Sequence, residues 1–272
     1  MSELLIILGV LAFSFGLRSF RSKILRKLGA VGVLAATFLA FYLPTQSIIA
    51  GCGGLLMWFL LPWVELLTRI RQLRLPVDKA LEKTPPPNSS RFPDFLDLTT
   101  EVEDEGFEYV SDNGWEWDGM NQFYRIFYHA DKRQQAAICF TEQDGIAWGC
   151  LTLTSRTERG LTYRTTNLPF SNPMKAAPDV LLRQSPDSDS FAELLDVHEE
   201  WLDALALETK HFVEEDPETL VGLVEKETGR QIKYNLENGL IRLAEKAGTF
   251  RYSWRGLFYL YFQLVKDMVR MC

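Results

Sequence analysis

"LGAVGVLAATFLAFYLPTQSIIAGCGGLLMWFLLPWV", residues 28–64, decides how this chain must fold. As one helix it would be about 55 Å long at ~1.5 Å per residue, against a hydrocarbon layer of about 30 Å. The stretch therefore has to double back. The break is "PTQS", residues 44–47, where Pro44 removes a backbone donor and polar residues follow. Residues 28–43 and 47–64 read as a helical hairpin with an uncharged tip. Small residues dot both arms (Gly29, Ala30, Gly32, Ala35, Ala36, Ala50, Gly51, Gly53 and Gly54), which lets helix backbones approach closely. They suit packing within one chain better than between copies, although a homo-oligomer stays open. No ionisable side chain lies inside either arm, which speaks against an ion or solute path.

Upstream, "LLIILGVLAFSFGL" (4–17) is a shorter apolar run of about 21 Å as a helix, below the ~20 residues a span normally takes. Arg18 lengthens it by reaching back to the interface. A secretory signal needs positive charge before the apolar run, whereas here Glu3 precedes it and the cations follow. Two or three transmembrane helices are expected. Arg18, Arg21, Lys23, Arg26 and Lys27 stand between the first and second runs, and Arg69, Arg71 and Arg74 follow the third. Cationic loops stay on the cytoplasmic side. With two spans or three, both clusters share a side, so the long carboxy-terminal part is expected in the cytoplasm.

Charge divides the chain in the same place. Residues 1–83 sum to +6 and residues 84–272 to -13, within an overall -7. Two environments account for this better than one globule. The expected organisation is a 1–67 transmembrane anchor and a basic, Pro-rich 68–92 linker. An α+β antiparallel-sheet domain over 93–172 and a mainly helical 189–272 unit with a β pair complete it. Three consecutive prolines in "KTPPPNSSRFP" (83–93) mark the linker as extended.

Beyond the linker, Phe95, Leu98 and Val102 recur at helical spacing over 93–105. Alternating runs follow at 122–129, 135–142, 146–154 and 161–167, with 107–117 as a further strand and Asp144-Gly145 as a hairpin turn. "GWEWDGMNQFYRIFYH" (114–129) allows two readings. Trp115, Trp117, Phe123 and Tyr124 form either a binding face or a sheet packed on both sides, since both alternating sets are aromatic. Arg156, Arg159 and Arg164 in "SRTERGLTYR" either hold an anion or lie among ordinary β-forming threonines. No glycine-rich phosphate loop accompanies them.

After a Pro/Ser/Asp connector (172–190), Ser190 to Glu193 resembles a capping box. Phe191, Leu194, Leu195, His198, Leu202 and Leu205 then form one stripe. Asp216-Pro217 opens a helix that Gly229 is expected to close, and a β pair turns at Gly248. Helices before a β wing evoke a winged-helix module. Residues 189–272 sum to -6, however, which opposes phosphate binding, and no nucleic-acid partner is expected. In the final helix only Gln263 is clearly polar between Leu257 and Val265. Nine residues cannot cross a bilayer, so this segment fills a core, lies in the membrane interface or binds a partner helix.

Signals for chemistry are sparse. His129, His198 and His211 lack H-E-x-x-H spacing, and no G-x-S-x-G, Walker A or dinucleotide fingerprint occurs. His198 falls on the apolar stripe and reads as a packed histidine rather than a zinc ligand. Cys52, Cys139, Cys150 and Cys272 have no metal spacing, and a Cys139–Cys150 disulfide competes with reduced, buried thiols. No metal, cofactor or catalytic residue is assigned. "GFEYVSDNGWEWDGMNQFYRIFYH", "SRTERGLTYRTTNLPF" and "FRYSWRG" resemble a group of uncharacterised bacterial membrane-anchored proteins, across about 93–272. That resemblance implies a bacterial inner-membrane setting and supplies no activity. The expected function is a membrane-anchored cytoplasmic adaptor or sensor with a protein partner. A membrane-tethered hydrolase or transferase with dispersed site residues is the alternative.

Overall fold

The structure, a computed structural model, describes residues 2–20, 22–143 and 145–271. It comprises two compact units, Met1–Leu73 with Trp254–Cys272, and Arg74–Ser253.

The first unit begins with α1 (Ser2–Arg18), α2 (Lys23–Thr45) and α3 (Ile48–Glu65), which runs on into a π-helical turn at Leu66–Ile70. Pro44 sits inside the last turn of α2. The reversal comes two residues later at Gln46, whose left-handed backbone (φ 51°) lets its N–H donate to the Tyr42 carbonyl at 2.7 Å. A proline so near a helix end removes one bond without breaking the helix. Close packing explains the small residues. A Cβ on Gly51 or Gly54 would lie 2.4 Å from the ring of Phe38 or Phe41, so the α2 rings seat on bare α3 backbone. Trp58 Nε1 donates to Thr37 Oγ1 at 3.1 Å and joins the same two helices.

Ile24–Thr45 (22 residues) and Ile48–Ile70 (23 residues) are long and apolar enough to cross a bilayer. Only 11% of each window is buried, unlike a helix in the core of a water-soluble domain. At 17 residues α1 is about 26 Å long, shorter than the ~30 Å hydrocarbon layer. Its Ser14 is fully buried, and Gly32 of α2 leaves room for it.

The second unit contains β1 (Leu75–Pro76), β2 (Glu82–Lys83), α4 (Phe95–Asp104), β3 (Glu108–Trp117), β4 (Met120–His129), β5 (Gln134–Gln143), β6 (Ile146–Arg156), β7 (Thr162–Thr166), β8 (Val180–Gln184), α5 (Phe191–Ala204), α6 (Leu220–Glu237), β9 (Ile241–Leu243) and β10 (Thr249–Tyr252). β2 to β8 form one seven-stranded sheet in chain order, antiparallel except for the parallel β7–β8 pair. β1, β10 and β9 form a small antiparallel sheet. The expected α+β meander is present. Residues 172–190, read as a connector, contain β8 and so extend the sheet. Gly229 lies inside α6, which continues to Glu237, and Gly239 (φ 67°) follows its end. Asp144 of the expected hairpin turn lies outside the described residues.

Strand alternation sorts the side chains onto two faces. Phe123, Phe127, Ile138, Phe140, Leu151 and Leu153 form one core with Phe95 and Val102 of α4 and Phe191, Leu194 and Leu195 of α5. The intervening Tyr124, Ile126 and Tyr128 pack on the opposite face against Leu220, Leu223 and Val224 of α6. The "QFYRIFYH" run is therefore aromatic in both registers because helices cover both faces. Arg125 is a polar residue on the first face. It forks onto Asp112, its register partner on β3, at 2.7 and 2.8 Å, and stacks on Phe95.

The last helix, α7 (Trp254–Met271), belongs to the first unit. Trp63 of α3 meets Phe258 edge-on (5.0 Å) and stacks on Tyr261 (5.1 Å), and the Arg71 guanidinium lies 4.7 Å over Trp254. Leu257 and Leu260 are buried, whereas Trp254, Phe258, Phe262 and Val269 are exposed.

Candidate functional site

A cleft of about 600 Å³ lies where the ends of β3, β4 and β5 meet the Pro-rich segment 84–92. Its floor is apolar, from Phe92, Phe123 and Phe140, with the Phe92 and Phe140 rings 4.0 Å apart. Its rim carries Glu82, Glu116 and Glu142, and Arg91 bonds Glu142 at 2.5 Å. Gly114 brings the Pro-rich wall close, because a Cβ there would lie 2.5 Å from Thr84 Oγ1. Trp115 and Gln122 complete the lining. Lys79 rests against both, its Nζ 4.0 Å from the Trp115 ring centroid and 3.5 Å from Gln122 Oε1. Burial lowers the Lys79 pKa to about 8, because a charged amine loses hydration there without a carboxylate to replace it.

Trp117, the other tryptophan singled out in the sequence, is held differently. Its Nε1 donates to the Arg74 carbonyl at 2.7 Å, and Lys246 sits 5.0 Å over its ring. Phe123 is buried under α4 and Tyr124 packs toward α6, so the four aromatics do not share one face.

Arg156 and Arg164 stand at the other end of the sheet, on the face covered by α6. Both meet Glu227. Arg156 Nε donates to it at 2.6 Å while its Nη1 reaches Glu215 (2.9 Å) and Gln135 (2.8 Å), and Arg164 Nη2 bonds the second Glu227 oxygen. Burial pushes the Glu227 carboxyl up, but Arg164 and Arg156 more than offset this and hold it below its ordinary value. Glu215 is raised, because burial outweighs the help of Arg156. Both guanidiniums are already matched by carboxylates of the same chain. Arg159 is exposed in the 157–160 turn. A smaller cleft of about 150 Å³ borders Arg164, Glu227 and Cys150.

His198 is fully buried between two hydroxyls, Ser155 Oγ at 2.9 Å from Nε2 and Thr165 Oγ1 at 2.7 Å from Nδ1. Desolvation, with Arg183 nearby, lowers its pKa to about 4, so it is neutral at physiological pH. His129 packs edge-on against Phe107 and accepts from the Lys132 N–H at 3.3 Å, and it does not line the cleft beside Trp115. Cys139 and Cys150 are cross-strand register partners and free thiols, and Cys52 is free and exposed. Cys272 and Arg21 lie outside the described residues. Among the described residues no group of three or more His, Cys, Asp or Glu side chains could hold a metal ion.

Sequence reading placed none of Lys79, Arg91, Glu142 and Glu227 in a site. Glu227 carried a signal, since it recurs with Leu220 and Val224 on the inward stripe of α6. The others come together only through folding. No known protein family, curated protein or solved structure matches the chain.

Proposed function

We propose that this protein is a bilayer-anchored adaptor whose α+β unit faces the cytoplasm and binds a polypeptide segment in the cleft beside Trp115. The anchor is the α2–α3 hairpin, whose apolar surface is left largely uncovered by the rest of the chain. Orientation follows from the cations. Arg18, Arg26 and Lys27 flank the start of α2, Arg69, Arg71 and Arg74 follow α3, and the Thr45–Ser47 turn is uncharged.

The cleft composition carries the partner reading. An apolar floor under a rim of Glu82, Glu116 and Glu142, with one arginine, suits an apolar side chain followed by a basic one. The partner is thus a protein segment bearing Lys or Arg. Capture of partners from native membranes by the full-length protein, compared with Trp115→Ala and Glu116→Lys variants, tests it. The expected result is one stoichiometric partner lost in both variants. A partner retained by both, or none in any sample, removes the reading.

One observation favours the tethered enzyme instead. A lysine with a pKa near 8 beside a cleft is the kind of amine that attacks carbonyl groups. A small metabolite co-purifying with the protein and lost with Lys79→Arg would decide for that alternative.

A further inference from the structure

The exposed side of α7 has two adjoining strips. Trp254, Phe258, Phe262 and Val269 recur at helical spacing and are 53%, 52%, 66% and 61% exposed. Beside them around the helix stand Arg255, Lys266 and Arg270, also exposed. An apolar strip edged by cations is the signature of a helix lying in a membrane surface. The strip is also continuous with the anchor. Trp63, which stacks on Tyr261 and meets Phe258, sits among Leu60, Leu61, Val64 and Leu67, the exposed apolar surface of α3 and its π-helical turn. The π-helical end of α3 brings Arg71 over Trp254 at the start of α7.

We infer that α7 lies along the headgroup–acyl boundary of the bilayer that holds α2 and α3. Trp254, Phe258, Phe262 and Val269 enter the acyl margin, and Arg255, Lys266 and Arg270 rest on anionic lipid headgroups. α7 does not cross. Its apolar run is nine residues (257–265), interrupted by Gln263, against the ~20 a span needs, and Lys266, Asp267 and Arg270 follow it. Tryptophan and tyrosine are the side chains that settle at this depth, with an apolar body and a polar tip. α7 therefore returns the chain to the membrane and gives the protein a second point of attachment. This inference rests on the anchoring reading of α2 and α3.

The test uses the full-length protein in vesicles of phosphatidylethanolamine and phosphatidylglycerol. Two photo-reactive lipids are compared, one with its diazirine near the glycerol and one with it at the acyl terminus, and adducts are mapped by mass spectrometry. The expected pattern is α7 adducts from the shallow probe only, and α2 and α3 adducts from both. Replacing phosphatidylglycerol with phosphatidylcholine should reduce the α7 adducts and leave those of the hairpin. In the double variant Phe258→Glu, Phe262→Glu the α7 adducts should fall roughly tenfold or more, as expected when buried rings become charges. Both residues are exposed, and unchanged hairpin adducts report an intact fold. A labelled hairpin with unlabelled α7 overturns the inference and leaves the anchor standing. Adducts on neither overturn the anchor itself. Equal labelling of α7 by both probes means insertion and also overturns the inference, and indifference to phosphatidylglycerol removes the headgroup contacts.

Discussion

The two units of this protein solve the same problem in opposite directions. In the helical unit the large apolar side chains point outward, with Leu56, Leu60, Leu61 and Val64 all more than half exposed, while Gly51 and Gly54 are buried. In the sheet unit the order reverses, and Phe107, Phe127, Phe191 and Leu194 are sealed between sheet and helices. The contrast teaches what each solvent demands. Water drives apolar surface inward. A bilayer exerts no such force between helices, so contact falls to small residues that let backbones approach. The chain thus joins an ordinary unit to one whose hairpin is long and apolar enough to cross a bilayer.

The largest expected effect compares one residue from each unit. Phe127→Ala should cost about 4 kcal/mol, from lost burial and an unfilled cavity. Leu60→Ala, 59% exposed, should cost less than about 0.5 kcal/mol. Urea unfolding of both variants in detergent micelles measures the pair, and equal costs would dissolve the contrast.

The next effect sharpens it, because the inside of the sheet unit is not uniformly dry. Glu227→Gln should cost about 3 kcal/mol, since it leaves Arg156 and Arg164 facing each other with their shared carboxylate gone. A cost near zero would mean the network is hydrated and exposed.

A smaller effect depends on pH. His198 has a folded pKa of about 4 against an ordinary 6.5. Above 6.5 it is neutral folded or unfolded and has no influence. Between 6.5 and 4 the unfolded chain takes up a proton that the folded one refuses, so stability falls by roughly 2–3 kcal/mol as pH drops. His198→Gln should flatten that part of the stability–pH profile, and an unchanged slope would assign it elsewhere.

The smallest effect is chemical and leaves the fold intact. The Lys79 amine should reach half-maximal acylation near pH 8, well below the surface lysines. Peptide-resolved labelling across pH reads this directly, and a Lys79 profile like the others would mean the amine is fully hydrated.

Much of the architecture was legible because it is local. A helix spaces its buried residues by three or four, and a strand by two. The α2–α3 hairpin, the β3–β7 meander and the α5 stripe therefore stand out in one dimension. The cleft did not, since Lys79 and Gln122 are 43 residues apart and Arg91 and Glu142 are 51 apart. β8 was missed for a related reason. Five residues flanked by prolines carry little periodicity of their own, and pairing with β7 makes them a strand.

By itself, the sequence determined most of the order of elements, the apolar hairpin and the cations that flank it, because apolarity, rise per residue and charge are properties of neighbouring residues. Only the tertiary structure decided that Arg156 and Arg164 meet on Glu227, that Lys79 settles against Trp115, and that α7 joins the helical unit. Those contacts link residues that nothing in local pattern connects, and they exist only once the sheet and helices have packed.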